Sequence, residues 1–355
     1  MRNFQVITGE DSCQTWDSII SKLPISLQDS YFECQYVDLQ DETNHSSTAL
    51  FVYESGDYFY TNPFVIRTIE SICGEHLNVP IIDLESPYGY GGPISTSHDS
   101  KFIYEADKAF LSWCKEIGVV SEFLRFHPLL CTQNFAGAGT EVEFNRLTYS
   151  ITINQSNSPV QHFKGTARNR VRGALQSGLY VQEINLKDNI AQFRTMYLAA
   201  MERKGALSFY NFSNLYFEKL SNYNPEKLLL LSVNDSVGMI SMGLFLVGPN
   251  GMHYHLGASN NRSRHSGAFN LLMSYAVEFA MKKNLKWIHL GGGLSNNASD
   301  TLSRFKRTIS DSSHEYFTGK RLHRPDVWKA ARNKLVIHNT DSEADDYFQS
   351  YHLHP

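Results

Sequence analysis

Runs of apolar residues in the second half of the chain predict a meander of three antiparallel strands. The runs are "KLLLLSV", "VGMISMGLFLV" and "GMHYHLGA", and they are separated by Asn-Asp and Pro-Asn-Gly segments typical of hairpin turns. A helix with an apolar stripe is predicted from about residue 267 to 283, and the strand "KWIHLGG" follows it. Because a strand–helix–strand connection within one sheet is right-handed, the strands at 252–258 and 286–291 are predicted to be parallel neighbours.

Helical spacing marks the segments before this meander. Apolar residues at steps of three or four predict a basic amphipathic helix, "TARNRVRGALQSGL", with Leu175 on its apolar side and Gly178 at its end. A second helix, "NIAQFRTMYLAAMERKG", ends at Gly205. Earlier in the chain, two strands flank a Gly56-Asp57 turn, and the helix "KFIYEADKAFLSWCKEIG" follows. This mixture predicts an α+β fold with mixed sheets.

The length of 355 residues is more typical of two domains than of one. We place the first domain at 1–145 and the second at 146–355, with the C-terminal tail packing back on the first domain.

Composition narrows the class of protein. With 42% hydrophobic and 19% charged residues, the chain is neither disordered nor fibrous. No apolar run reaches the roughly 18 to 20 residues of a membrane span, and the N-terminus lacks the apolar core of a signal peptide, so we expect a cytoplasmic protein without a transmembrane segment. Five widely spaced cysteines without a C-x-x-C pair are interpreted as reduced, mostly buried thiols. A net charge of −4 argues against a protein whose main partner is nucleic acid, although a local basic patch is compatible with it.

Segments rich in Gly, Ser and Asn follow both predicted parallel strands, at the edge where ligands bind in such sheets. "GASNNRSRHSGA" places Arg264 and Gly267 before a helix N-terminus, which suits a phosphate group but is also simply a good helix start. "GGGLSNNAS" contains Gly291, Gly292 and Gly293 but not the spacing of a dinucleotide fingerprint. These glycines allow positive φ or close packing, or they let the backbone approach a ligand.

Two histidines and a lysine are the other candidates. His253 and His255 are two positions apart on one predicted strand, so their side chains point to the same face of the sheet. A structural role, proton transfer or substrate contact is favoured for them over metal binding, because no third metal ligand is evident; His289 is interpreted as structural. In "SDTLSRFKRTI", Lys306 shares a helix face with Ser303, although a helical lysine is usually a solvated charge.

Taken together, the motifs resemble the FemAB-like aminoacyl and acyl transferases, which belong to the GNAT superfamily of N-acyltransferases. The resemblance covers most of the chain and rests on the order of "SPYGYGGPIS", "FLRFHPL", "TARNRVRGALQSGL", "MYLAAMERKGALSFYNF", "HYHLGAS", "GAFNLLMSYAVEFAMKKNLKWIHLGGG" and "DTLSRFK". It implies two tandem GNAT-like domains and the transfer of an acyl group from a CoA thioester or an aminoacyl-tRNA ester to an amine or hydroxyl. No charged coiled-coil arm of the kind that some Fem ligases carry is visible.

The resemblance also implies site residues. Lys306, in the Phe-Lys motif, is implied to stabilise negative charge near the donor ester, and we expect His255 to assist proton removal. The expected donor-binding residues are Arg264, Gly267, Gly291, Gly292, Gly293 and Ser295. The expected acceptor-binding residues are Tyr88, Gly91, Gly92, Arg168, Arg172, Arg203 and Tyr210. No metal and no tightly bound cofactor are expected.

From this resemblance we expect a cytoplasmic acyltransferase that uses an acyl-CoA co-substrate. Its expected partner is a nucleotide-linked sugar or peptide precursor of cell-envelope polysaccharide, acylated on an amino or hydroxyl group. One alternative is an aminoacyl-tRNA-dependent Fem-type ligase, with tRNA as the partner. A third possibility is an inactive tandem GNAT protein that binds a carbohydrate or another partner.

Overall fold

The computed structural model describes residues 3–8, 12–40, 45–205, 210–264, 266–295, 297, 300–337 and 347–353. The chain divides into two compact units: the first comprises residues 1–145 and 316–355, and the second comprises residues 146–315. The second unit is thus shorter than the predicted domain 146–355.

The strands, in chain order, are β1 Phe4–Thr8, β2 Ser46–Ser55, β3 Tyr58–Ile72, β4 Glu75–Glu85, β5 Ile94–Ser95, β6 Val119–Arg125, β7 Glu141–Thr152, β8 Tyr180–Glu183, β9 Leu228–Asp235, β10 Gly238–Val247, β11 Gly251–Ser259, β12 Trp287–Gly292 and β13 Ser312–Leu322. The helices are α1 Cys13–Ile20, α2 Cys34–Asp38, α3 Ser100–Ile117, α4 Gly165–Gln176, α5 Leu186–Arg203, α6 Asn214–Ser221, α7 Ala268–Lys282, α8 Thr301–Lys306 and α9 Pro325–Ile337.

In the first unit the sheet has the strand order β1-β2-β3-β4-β6-β13. Neighbouring strands are antiparallel except β4 and β6, which are parallel and are connected through α3. The chain returns to this unit because β13 pairs with β6, from Thr318 opposite Arg125 to Leu322 opposite Ser121. The chain therefore re-enters the first unit at strand β13, before the C-terminal tail that was expected to pack on this unit.

Helix α3 covers one face of this sheet. The Asp99 side chain caps the helix by accepting a hydrogen bond from the backbone N–H of Lys101, and Gly118 ends it in the left-handed conformation at φ 79°. On its buried side, the Phe110 ring packs edge-on against Phe51 at a centroid distance of 5.1 Å. The helix predicted in this region and its glycine end are both present.

The other face of the same sheet is covered by α9 and by residues 347–353, which we call the C-terminal segment. Tyr351 of this segment is completely buried together with Ile72, Val120 and Leu335. The C-terminal segment therefore contributes to the apolar core of the first unit.

The second unit has the strand order β7-β12-β11-β10-β9-β8. Strands β9, β10 and β11 form the predicted antiparallel meander. Strands β11 and β12 are parallel, with Gly251–His253 opposite Trp287–His289, as the right-handed connection through α7 predicts.

Alternation of side chains gives this sheet two faces. Met252 and Ile288 point into a core shared with α4 and α7. His253 and His255 lie on the opposite face, where α6 packs and its Tyr216 is hydrogen-bonded to His255. Leu175 departs from the prediction: it is 51% exposed, because it lies at the flank of the last turn of α4.

The interpretation of all five cysteines as thiols is wrong for two of them. Cys13 and Cys34 form a disulfide between the starts of α1 and α2, with their Cα atoms 5.3 Å apart. Their separation of 21 residues gives no motif that would reveal the pairing. Of the free cysteines, Cys114 is buried and Cys131 is exposed.

Within the described part of the chain, no helix combines the length and the apolar character needed to cross a bilayer.

Candidate functional site

The second unit has an opening at the carboxyl ends of β11 and β12. The two strands pair in register only as far as His253 and His289. Beyond that point β12 continues to Gly292 alongside β7, with an irregularity between His289 and Gly291, where Gly291 adopts φ 72°. Parallel strands that part in this way create the crevice in which ligands bind in open α/β sheets.

The structure explains why each position of the run 291–293 is occupied by glycine. Gly291 has a positive φ that other residues adopt only with strain. A Cβ on Gly292 would lie 3.1 Å from the carbonyl oxygen of Leu147 on β7, and one on Gly293 would lie 2.8 Å from the carboxylate of Asp300. The run therefore lets β12 pass close to β7 and to the start of α8.

Asp300 organises the loop between β12 and α8. Its carboxylate caps α8 by accepting a hydrogen bond from the backbone N–H of Ser303 at 2.7 Å. It also accepts bonds from the backbone N–H groups of Leu294 and Ser295, at 2.7 and 2.9 Å. Those amides are therefore engaged within the loop, and Ser295 contributes its backbone to the shape of the site.

Lys306 is the central charged group of this region. Its side chain is buried, with 8% of the residue exposed, and Nζ donates a 2.6 Å hydrogen bond to the carbonyl oxygen of Gly292. The pKa of Lys306 is lowered to about 7, chiefly by burial and also by the positive charges of Arg146 and Lys204, while Asp300 opposes the shift. The residue that the sequence pattern would make a solvated charge is a buried amine poised between its two protonation states.

Further cations surround Lys306. Arg146, at the start of the second unit, donates hydrogen bonds through Nη1 to the carbonyl oxygens of Gly293 and Leu294, at 2.7 and 2.9 Å. At the end of α5, burial lowers the pKa of Lys204, and the neighbouring Arg203 adds to that effect. Sequence reasoning found Arg203 but missed Arg146 and Lys204. The only sequence signal for Lys204 is its position next to Arg203, which was predicted as an acceptor-binding residue.

A polar column holds α8 against β7. The hydroxyls of Tyr149 and Ser303 are 2.5 Å apart, and Nε of Arg307 donates to the Tyr149 hydroxyl at 3.0 Å. Ser303 and Lys306 share a face of α8, as the helical spacing predicts, and this polar face is the buried one. The column fixes the helix that carries Lys306.

His255 is buried and neutral. Its Nε2 lies 2.6 Å from the Tyr216 hydroxyl, and burial, with a smaller contribution from His253, lowers the pKa of His255 to about 3. His253 in turn contacts His289, with their Nδ1 atoms 3.2 Å apart. The three histidines thus line one face of the sheet below its carboxyl edge.

A cavity of about 490 Å³ runs along the exposed side of α5 and ends at Arg203. Its lining residues are Ala191, Gln192, Thr195, Met196, Ala199, Arg203 and Asn260. Arg203 also donates to the carbonyl oxygen of Ser259 at the end of β11. The predicted acceptor residue Arg203 therefore lies where a cavity and the cationic group around Lys306 adjoin.

Other predicted residues of the second unit lie elsewhere. Arg168 and Arg172 are exposed on α4, which packs on the opposite face of the sheet from His255. Arg264 is exposed before α7, and Gly267 is the N-cap of α7 at φ 76°. Tyr210 is half-buried, and its carbonyl oxygen accepts a hydrogen bond from Tyr197; residues 206–209 of the same motif lie outside the described residues.

Tyr88, Gly91 and Gly92 belong to the first unit. The Tyr88 carbonyl oxygen accepts a 2.5 Å hydrogen bond from the Tyr36 hydroxyl. Gly92 has φ 81°, and a Cβ there would lie 2.8 Å from the Phe126 ring. Positive φ and close packing therefore account for Gly92 within the first unit.

No protein-family model matches the sequence, and no curated protein does either. Solved structures do resemble the chain. FemX has a TM-score of 0.67 and 13% identity, with 92% of this chain and 99% of that chain covered. A conserved protein of unknown function from Bacteroides thetaiotaomicron has a TM-score of 0.57 and 9% identity, covering 89% of this chain and all of that one.

A tandem GNAT protein from the clavulanic acid biosynthesis pathway has a TM-score of 0.51 and 6% identity, with 91% of this chain and 99% of that chain covered. At these identities the likenesses show the fold. The predicted α+β fold with two tandem GNAT-like domains is confirmed.

Proposed function

We propose that the protein is an acyltransferase that moves an acyl group from a CoA-type thioester to an amino group of a second substrate. The observation that carries this proposal is Lys306, a buried amine at the opening between β11 and β12 that donates to the Gly292 carbonyl oxygen. Lys306 lies among further cations, so the site favours a group that develops negative charge.

In the proposed reaction the acceptor amine attacks the donor carbonyl carbon. A C–N bond forms, the carbonyl oxygen gains negative charge, and the C–S bond then breaks as the thiol departs with the proton of the amine. Protonated Lys306 donates a hydrogen bond to that oxygen. Because its ammonium is already desolvated, it stabilises the charge more strongly than an exposed lysine would.

We assign His255 to positioning rather than to proton removal. A histidine with a pKa of about 3 is a weak base at neutral pH. Its 2.6 Å hydrogen bond orients the Tyr216 hydroxyl instead. This assignment modifies the role expected from the sequence.

For the donor, the exposed Arg264 and the first turn of α7 suit the phosphates of CoA. For the acceptor, Arg203 and the cavity along α5 suit an anionic, nucleotide-linked sugar or peptide precursor of cell-envelope polysaccharide in the cytoplasm. The exposed Arg168 and Arg172 are proposed as an outer contact for the diphosphate of the precursor.

The alternative donor is an aminoacyl-tRNA ester, whose acyl carbonyl would meet Lys306 in the same way. The cationic group formed by Arg146, Lys204 and Lys306 supports this alternative, because it would also attract a phosphate of the tRNA 3′ end. Binding of charged tRNA that weakens steeply with salt, together with no binding of CoA, would favour it.

The test supplies purified protein with labelled acetyl-CoA or aminoacyl-tRNA and a mixture of nucleotide-linked amino-sugar and peptide precursors, and measures transfer. We expect Lys306→Met to reduce transfer about 100-fold, the typical effect of removing one donor to the reacting oxygen. Arg304→Met, an exposed cation on the same helix, is the matched control and should keep the wild-type rate.

Transfer by Lys306→Met at the wild-type rate would contradict the role of Lys306. Absence of transfer with every donor, combined with tight binding of a precursor, would favour the third possibility, a tandem GNAT protein that only binds its partner.

A further inference from the structure

The first unit contains a cavity of about 630 Å³ that the proposed transfer reaction does not use. It lies between the end of α3, the start of β6, the loop at Ala138 and Gly139, and the segment that joins β13 to α9. This is the amino end of β6, whereas the opening near Lys306 is formed by the carboxyl ends of strands in the second unit. The volume is within the usual range of small-molecule sites.

The charged residues that line this cavity are all cations. They are Lys115 in the last turn of α3, Arg321 near the end of β13, and Arg324 directly before α9. The imidazole of His323 also lines the cavity. Lys115 and Arg324 are exposed, and within the described part of the chain neither forms an ion pair. These two charges are therefore available to a ligand.

Hydrogen bonds hold the Arg321 side chain at the wall of the cavity. Arg321 is 5% exposed and donates to Asp107 at 2.8 Å and to the Ala138 carbonyl oxygen at 3.0 Å. Its Nε makes no hydrogen bond to any described residue. Arg321 is thus held in place at the cavity wall.

His323 is a second buried polar group in the wall. Its side chain is 9% exposed, and its Nε2 lies 3.7 Å from Glu122 Oε2, beyond hydrogen-bond distance. Within the described residues neither atom has a hydrogen-bond partner. A hydrogen bond from a ligand would satisfy this edge of the imidazole.

The remaining lining is apolar. Leu111 and Val119 form one side, and Leu322 is a large side chain that stays 37% exposed. A ligand that joins an anionic group to an apolar ring would satisfy both parts of this cavity. The cations would contact the anion, and the ring would cover Leu322.

We propose that this cavity binds a small phosphate monoester with an apolar ring, at a site separate from the acyl-transfer site. A phosphate dianion is favoured over a carboxylate because its two negative charges match the two unpaired cations, Lys115 and Arg324, which approach the cavity from different elements.

The test is isothermal titration of the full chain with phenyl phosphate and with inorganic phosphate. We expect saturable binding of both, with phenyl phosphate binding more tightly because its ring covers Leu322. The double variant Lys115→Ala, Arg324→Ala should bind phenyl phosphate at least about tenfold more weakly, since two charge-assisted contacts are lost. Leu322→Ser should reduce the preference for phenyl phosphate over inorganic phosphate.

The matched control is Lys108→Ala, Lys329→Ala, which removes two exposed cations from α3 and α9 and should bind as the wild type does. Lys306→Met should also bind phenyl phosphate as the wild type does. Absence of saturable binding, or wild-type affinity in the Lys115, Arg324 variant, would overturn the proposal. The first result would leave the cavity without a ligand of this class, and the second would place the phosphate elsewhere. Neither result bears on acyl transfer.

Discussion

The ammonium of Lys306 has lost most of its hydration, and the carbonyl oxygen of Gly292 replaces part of it. Such a charge is tolerated because Asp300 lies near enough to raise its pKa, while burial, Arg146 and Lys204 lower it. With a pKa of about 7, the residue is half protonated at neutral pH and can lose its charge when conditions change only slightly.

This balance predicts a pH dependence for the transfer reaction. If protonated Lys306 stabilises the reacting oxygen, its contribution is complete below about pH 7 and is lost as the pH rises through that value. The ratio of the wild-type rate to the Lys306→Arg rate should therefore fall above about pH 7, because arginine stays protonated. The ratio cancels the titration of the acceptor amine, which both enzymes share.

The measurement is a single-turnover rate from pH 6 to 9 for both proteins. A ratio that stays constant over this range would show that the charge of Lys306 does not take part in the reaction.

The charge of Lys204 should influence Lys306 directly. Lys204→Met removes a positive charge that lowers the pKa of Lys306, so that pKa should rise above about 7. Lys187→Met removes the same charge from the other end of α5, roughly 25 Å away at 1.5 Å per residue, and should leave the pKa unchanged. Titration of the ¹⁵Nζ resonance of Lys306 measures both effects. Equal shifts in the two variants would mean that Lys204 acts only through the net charge.

At the scale of elements, a glycine at the start of α7 allows this helix to pack closely against α4. Gly267 is the N-cap of α7 at φ 76°, and a Cβ there would lie 2.6 Å from the carbonyl oxygen of Arg170 on α4. A position selected from sequence as a phosphate contact therefore has a packing reason as well. The packing explanation predicts that a methyl group at position 267 destabilises the protein, whereas the phosphate-contact explanation makes no such prediction.

Gly267→Ala should destabilise the protein by about 3 kcal/mol or more, because it adds backbone strain and a contact with backbone that cannot move easily. Gly178→Ala is the matched control: its φ is 80°, but a Cβ there meets nothing within 4 Å, so only the conformational cost of about 1 to 2 kcal/mol applies. Urea unfolding gives both values. An equal loss of unfolding free energy in both variants would mean that α4 shifts freely to accept the methyl group.

The elements that sequence reasoning found are those whose signal is local. The meander β9 to β11 and helix α7 have long apolar patterns, and the connection through α7 determines that β12 runs parallel to β11. The pairing of β13 with β6 joins residues almost 200 positions apart and leaves no periodic signal, so the return of the chain to the first unit was placed only in its tail.

The candidate site shows the same difference between features with a local sequence signal and features that depend on long-range contacts. The resemblance selected Lys306, but its burial depends on α8 packing through Tyr149, a contact across 154 residues. Arg146 reaches Gly293 across 147 residues. No spacing in the sequence reports such contacts, whereas the shared face of Ser303 and Lys306 follows from helical periodicity alone.

At the scale of the whole chain, the C-terminal segment closes the core of the first unit. The Tyr351 hydroxyl donates to Asp83 at 2.6 Å, and the Tyr347 hydroxyl donates to Glu85 at 2.9 Å. Gln349 donates through Nε2 to the carbonyl oxygen of Leu84 at 3.2 Å. The segment therefore supplies three hydrogen-bond donors to buried acceptors on β4, although Glu85 Oε1 also accepts a hydrogen bond from Arg125.

Removal of residues 347–355 should selectively destabilise the first unit. The hydrogen bonds of Tyr347, Gln349 and Tyr351 to β4, each worth about 1 kcal/mol, would be lost, and the apolar side chains of Ile72 and Val120 would meet water. Hydrogen exchange should therefore speed up in β4 and β6, while β9 to β11 of the second unit keep their protection. Tyr351→Phe, which removes one hydroxyl and keeps the ring, should produce a smaller change confined to the same two strands. Faster exchange throughout both units would show instead that the segment stabilises the chain as one cooperative body.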